Sequence, residues 1–266
     1  MKARILASRT MSIHRKCLTT DKPYLKSDNV FRFKVPEDKV KWDVKFDDYR
    51  PVEYTDPSTE GKPWADGPIN KNMKFNDIDG DIDRRSKMGV YKFDDDDRPL
   101  NPVGRTGLRG RGILGKWGPN HAGDPIVSRF KDGKLQFIGI KRGDTGEWAL
   151  PGGMVDPGET ATSTAKREFT EEALDNVEDK NLDDLFNSGK VLYEGYVDDH
   201  RNTDNSWMET TVINFHDDKD VLSKAKVKAG SDAAHVEFVT VESGIELYAS
   251  HNDFVKMFAK LHGVEI

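Results

Sequence analysis

Three glutamates, Glu168, Glu171 and Glu172, fall within five residues of the stretch LPGGMVDPGETATSTAKREFTEEAL (150–174). On a helix the spacings i, i+3 and i+4 project all three carboxylates within one turn of each other. Each like-charged i,i+4 pair costs an exposed helix about 0.2–0.5 kcal/mol. Neighbouring Arg167 offsets part of that repulsion. A divalent cation would turn the cluster into a site, because hard oxygen ligands suit Mg2+. A solvated acidic face is the plain alternative, and the glutamates alone favour it.

The elements that would position them can be read from the pattern. Ala161, Ala165, Phe169 and Ala173 recur every four residues, the buried stripe of an amphipathic helix, which predicts a helix over 160–174. Pro157-Gly158 breaks the chain before it, and Glu159 lies in its first turn, where the helix dipole favours negative charge. Strand-like runs are predicted at 125–130, 135–141, 147–150, 190–197, 207–216 and 235–241, with a second helix over 252–261. Strands around a central helix, with another helix at the end, indicate an α/β or α+β sandwich.

Upstream the texture differs. Residues 21–97 read as irregular and strand-poor, broken by Pro23, Pro36, Pro51, Pro57, Pro63 and Pro68. FNDIDGDID (75–83) has calcium-loop residues at the wrong spacing, since Arg84 occupies the sixth position counted from Asp79, so a plain acidic turn is expected. The run Asp94–Asp97 reads as a solvated loop. Residues 104–124 form a connector with seven glycines plus Arg105, Arg109, Arg111, Lys116 and His121. Exposed amides and cations there suit a phosphate, although an interdomain crossing has the same composition.

The 266 residues suffice for one large domain or two modest ones. No run approaches the roughly 18 apolar residues a membrane helix requires, so a soluble chain is expected. Cys17 is the single cysteine, which excludes an intrachain disulfide and points to a reducing compartment. Residues 1–20 carry five basic side chains and no acid; 41 Lys+Arg less those five leaves 36 against 47 acids, a net −11 for the remainder. An acidic body argues against nucleic acid as a partner. The basic start has the composition of an organelle transit peptide or of a plain basic tail.

Gly153, five residues, Glu159, seven residues, then Arg167-Glu168-Phe169-x-Glu171-Glu172 match the Nudix box as far as Glu172. Leu174 and Asp175 depart from the box's closing glycine and apolar residue. Together with VPEDKVKWDVKFDDYRPVEYT (35–55), the glycine-rich connector, GYVDDHRNTDNSWMET (195–210) and LYASH (247–251), the chain resembles the ADP-ribose pyrophosphatase branch of the Nudix hydrolases. That pattern is shared with the C-terminal domain of ADP-ribose-gated melastatin-type cation channels. In this branch EEAL is regular, so Leu174 reads as a branch mark.

The resemblance covers about residues 22–266 and implies a Nudix α/β/α sandwich with a mixed sheet over 125–266. A strand-poor N-terminal domain over 21–124 would precede it and contribute to the substrate cleft. It implies hydrolysis of ADP-ribose to AMP and ribose 5-phosphate with Mg2+, for which Mn2+ can substitute. The alternative it carries is an ADP-ribose-sensing channel domain, with or without hydrolysis. Glu168, Glu171, Glu172 and the Gly153 carbonyl are the implied metal ligands, and Arg167–Glu159 a supporting ion pair. Glu168 could activate water, with Asp198, Asp199 and Glu209 as outside candidates. Arg105, Thr106, Asp198, Asp199, Arg201 and Tyr248 are the implied substrate contacts, Tyr248 ahead of Trp148 for stacking. His121 and His251 lack zinc spacing and are expected to be structural or ligand-adjacent.

Overall fold

Ile126 and Val127, Phe137 and Ile138, and Val212 and Ile213 are sequence neighbours, yet each pair divides between two separate cores. That division is the period-two alternation of strands buried on both faces. In the structure, a computed structural model describing residues 15–142, 146–173, 180–222, 233–242, 247 and 250–266, these residues lie in a central mixed sheet. Its long strands are β5 (Gly118–Lys131), β6 (Lys134–Arg142), β9 (Lys190–Tyr196), β10 (Ser206–His216) and β11 (Ala233–Thr240). The order is β11-β6-β5-β10-β9, with β10 parallel to β5 and the other neighbours antiparallel. Short strands β7 (Trp148–Ala149) and β8 (Gly153–Met154) pair with β6 and β5.

Helices cover both faces. α1 (Ala161–Ala173) presents Ala165, Phe169 and Ala173, all fully buried, to the Val127–Ile213 face, as the four-residue stripe predicted. α2 (Lys180–Asn187), which the sequence reading did not anticipate, adds Leu182, Leu185 and Phe186 to the same core. α3 (His251–Leu261) lays Phe254, Val255, Phe258 and Ala259 on the opposite face. The result is the expected α/β/α sandwich.

β5 begins at Gly118, well before the predicted Pro125. Its first half belongs to the glycine-dense connector, where turn-like composition conceals a strand paired with β10 from Gly118↔Ser206 to Ser128↔His216. Pro125 is tolerated because it lies between the residues paired with β8 (Ala122, Gly123) and those paired with β6 (Ser128–Lys131). In that gap its missing N–H costs no ladder bond.

The N-terminal region contains few strands, as expected. β1 (Val52–Thr55) pairs in parallel with β4 (Leu108–Gly112). The acidic FNDIDGDID turn is a small hairpin of β2 (Ile78–Asp79) and β3 (Ile82–Asp83), with Gly80 at φ 61°. Much of the cohesion here is polar. Asp66 accepts from Arg84 Nη1 and Nη2 at 2.7 and 3.0 Å and from the Trp117 amide at 2.9 Å. The Arg84 and Asp66 side chains are only 3% and 5% exposed. Among the described residues no helix is long and apolar enough to cross a membrane.

Two predictions follow from this packing. Asp66→Asn leaves the buried Arg84 guanidinium short of its main countercharge and is expected to cost about 3–5 kcal/mol, measured by urea unfolding. At the other end, His262 stacks on His216 with ring centroids 4.3 Å apart and bonds Asn214 Oδ1 at 2.8 Å. Burial, then His216, pulls His262 down to about 4 from an ordinary 6.5. Between those pH values the unfolded chain binds the proton and the folded chain does not, so stability is complete above pH 6.5 and falls toward pH 4. His262→Gln should flatten that part of the melting profile relative to wild type.

Candidate active site

The loop entering α1 can approach its neighbours only because it carries glycines. A Cβ on Gly153 would sit 2.0 Å from Glu168 Oε1, and one on Gly152 would sit 2.2 Å from Asp124 Oδ1. Both carboxylates therefore rest against bare backbone. Glu172 Oε2 accepts from the Gly152 amide at 3.1 Å, so two of the three clustered glutamates flank the same dipeptide. Pairing of Gly153 with Gly123 ties that loop to the middle of the sheet.

Arg167 organises the charge. It donates to Glu159 at 2.9 and 3.0 Å, to Glu168 at 2.8 Å and to Glu171 at 3.4 Å. Its hydrogen bonds are the main reason Glu159 falls to about 2, and Glu159 in turn raises Arg167. Glu168 goes the other way. Burial chiefly raises it, Arg167 opposes, and Glu171 and Asp156 add like-charge repulsion. Glu171 is exposed.

No group of three His, Cys, Asp or Glu side chains converges as a ready-made metal cage among the described residues. The donor set nonetheless fits a hard divalent cation. Glu168 and Glu172 bring carboxylate oxygens to the Gly152–Gly153 backbone, and Glu168, raised first by burial, also carries repulsion from Glu171 and Asp156 that a cation would relieve.

The DDHRNTDN segment (198–205) brings a second group of charges close to Asp124. Asp199 accepts from Arg201 Nε, Nη2 and the Arg201 amide, each at 2.8 Å. Burial raises Asp199, but Arg201 overcomes it and brings the carboxyl down to about 2. Asp124 feels both groups. Sequence reading missed it, and it takes a 2.7 Å hydrogen bond from Thr210 Oγ1. Burial lifts Asp124 to about 6, while Arg201, Glu168 and Asp199 are all close enough to act on its charge.

Other expected contacts are placed differently. Arg105 donates to the Lys39 and Lys41 carbonyls at 2.8 and 2.6 Å and sits over the rings of Trp42, Phe46 and Tyr49. It organises the N-terminal region, and nothing in that arrangement directs it to a phosphate. Thr106 bonds Asp204 through both its amide and its hydroxyl, at 2.7 and 2.9 Å. Glu209 is fully buried and accepts from Ser86 Oγ at 2.5 Å, the Lys87 amide at 2.6 Å and Trp207 Nε1 at 2.7 Å. Those three donors give it an anchoring role between β10 and the N-terminal region and leave little capacity to take a proton from water. Asp198 is engaged by backbone amides near the start of the chain. Tyr248 lies outside the described residues. Trp148 packs against the α3-side core, His251 Nδ1 accepts from the Leu150 amide at 3.0 Å, and burial lowers His121.

A cavity of 1130 Å3 opens elsewhere, in the N-terminal region around Trp117, Arg98 and Arg111. Six carboxylates line it against three cations, and none of the α1 glutamates reaches it. An anionic substrate would be repelled there. The paired glutamates and the Asp199–Arg201 loop are the better candidate.

Comparison with known proteins identifies both regions of the chain. Residues 126–259 match the NUDIX domain model, and residues 35–118 match the NUDT9-like, N-terminal domain model. A Caenorhabditis elegans protein bearing the name nudix hydrolase 6 is 51% identical over 256 residues, covering 94% of this chain and 98% of that one. The mitochondrial ADP-ribose pyrophosphatase of Rattus norvegicus is 46% identical, covering 93% and 78%. A transient receptor potential cation channel subfamily M member-like 2 of Nematostella vectensis is 44% identical over 86% of this chain but only 17% of its own length. With the fold, the box on α1 and both domain models in agreement, the chain belongs to the Nudix hydrolase family.

Proposed function

We propose that the protein hydrolyses ADP-ribose to AMP and ribose 5-phosphate in a Mg2+-dependent reaction, with Mn2+ able to substitute. The observation that carries this reading is the place of Asp124, which lies against Gly152 of the glycine loop and feels the charges of Glu168, Asp199 and Arg201. A diphosphate needs both a cation-holding side and a fixed arginine. Similarity to the rat enzyme named for ADP-ribose supports the choice of substrate, and that relative's mitochondrial name supports the mitochondrion as the compartment.

Glu168, Glu172 and the Gly153 carbonyl would hold the metal, with Glu171 beside them. When bound, a divalent cation neutralises the diphosphate and polarises its phosphoryl oxygens. The chain's own groups do the rest. Arg201, oriented by Asp199, donates to the diphosphate. Glu168 also accepts the proton of the attacking water. Arg167 and Glu159 hold the helix end in register with the glycine loop.

A second reading, an ADP-ribose-sensing domain of a cation channel, has the channel-like relatives in its favour. The intact Arg167–Glu172 segment favours hydrolysis, since binding alone requires no complete carboxylate set. A substrate panel with and without Mg2+ separates the two. AMP release from ADP-ribose is expected only with metal, and tight calorimetric binding without turnover would support the sensor.

Two substitutions test the assignment. Glu172→Gln should lower kcat by on the order of 100-fold while the melting temperature holds; near-normal rates would remove Glu172 from the site. Gly153→Ala places a methyl group where the Glu168 carboxylate rests. It should raise the Mg2+ concentration needed for half-maximal rate by about 10–100-fold, with circular dichroism unchanged.

A further inference from the structure

The 198–202 loop is gripped from outside by the first described stretch of chain. Lys16–Leu18 form a single 3-10 turn. The amides of Arg15, Lys16 and Cys17 converge on the Asp198 carboxylate at 2.8, 3.0 and 3.4 Å. Cys17 is fully buried, with Sγ 3.5 Å from Asp198 Oδ1 and 3.9 Å from the Tyr196 hydroxyl. Tyr24 donates its hydroxyl proton to the Arg201 carbonyl at 2.8 Å, and Arg32 Nη2 donates to the His200 and Asn202 carbonyls, both at 2.7 Å. Residues 15–32 thus fix one side chain and three consecutive carbonyls of the loop.

What they leave outward is informative. The Arg201 side chain remains 34% exposed while its partner Asp199 is 8% exposed. A rigid frame surrounds one accessible guanidinium. Asp198 itself has most of its acceptor capacity taken by amides, which is poor provision for a ribose hydroxyl. Its negative charge meets the positive amide ends of a short turn, a charge-assisted arrangement.

We propose that Asp198 is a positioning residue rather than a substrate contact, and that residues 15–17 are a strap which, through Asp198, sets Arg201 for the diphosphate. This rests on the ADP-ribose reading above and assigns the start of the fold a part in substrate affinity. Asparagine cannot replace Asp198, because it offers one acceptor oxygen and turns an NH2 toward donors.

The test compares wild type, Asp198→Asn, a chain lacking residues 1–17, and the combination, each assayed with ADP-ribose and Mg2+. Each single change should raise KM about tenfold, the loss expected for one charge-assisted contact, with kcat within about twofold. The combination should be no worse than either alone, because both remove the same contact. If the shortened chain does not fold, Lys16→Pro replaces it: proline removes one amide donor and disfavours the helical conformation of Arg15 (φ −110°, ψ −47°), so the strap loosens while the full chain is kept. A KM raised by Asp198→Asn but not by loss of the strap, or additive effects, would make Asp198 a direct substrate contact and overturn the proposal. Wild-type turnover with unchanged KM in every variant overturns both the positioning role of Asp198 and the strap, and leaves the substrate reading standing. Absence of wild-type turnover overturns the substrate reading and this inference with it.

Discussion

Nine consecutive polar or charged residues lie between Tyr196–Val197 and Trp207, and most of them are buried. Asn202, Thr203, Asn205 and Ser206 have no exposed surface, and Asp204 has 2%. Burial of that many donors and acceptors is tolerable only if each is paired. Their partners come largely from the strand-poor N-terminal region. Asp204 takes the Tyr49 hydroxyl and both donors of Thr106, Asn205 exchanges bonds with Gly110, Asp94 and Pro99, and Thr203 donates to the Gly110 carbonyl. A region with little secondary structure of its own acquires a defined shape by satisfying this loop, and the loop acquires its shape in return.

That mutual dependence gives the site its precision. Arg201 emerges from a segment with no freedom to relax, while the opposite side of the site is carried on a helix whose inner face is plain hydrocarbon packing. Phe169 and the alanines of α1 set the depth of the helix, and Gly152 and Gly153 let the glutamates come down onto the backbone. Asp124 lies where these two supports meet. Burial pushes Asp124 and Asp204 each up to about 6. Preorganisation of this kind spares the substrate the cost of ordering the site.

Legibility in the sequence followed the range of the interactions. Much that is local was readable: the α1 stripe, the acidic turn at 75–83 and the spacing from Gly153 to Glu172, with the Glu159–Arg167 pair implied by the resemblance, although the short helix α2 was not. What depended on distant partners was not. Glu209 reads as a strand carboxylate until Ser86 and Lys87, more than 120 residues away, are seen on it. Asp198 waits on residues 15–17, and Arg105 on carbonyls at Lys39 and Lys41. Asp124 was hidden because glycine-rich composition suggested a connector, whereas pairing with β10 makes that stretch a strand. DDHRNTDN was recognised as a branch feature, but its turn-like composition gave no sign that it would be buried.

The central claim is that one site spans the α1 glutamates and Arg201. A crystal structure with Mn2+ and a non-hydrolysable ADP-ribose analogue tests it most directly. An anomalous peak bounded by Glu168, Glu172 and the Gly153 carbonyl, with the diphosphate reaching from it to Arg201, is the predicted result. An analogue seated in the N-terminal cavity beside Trp117, or a metal bound away from Glu168 and Glu172, would contradict the account.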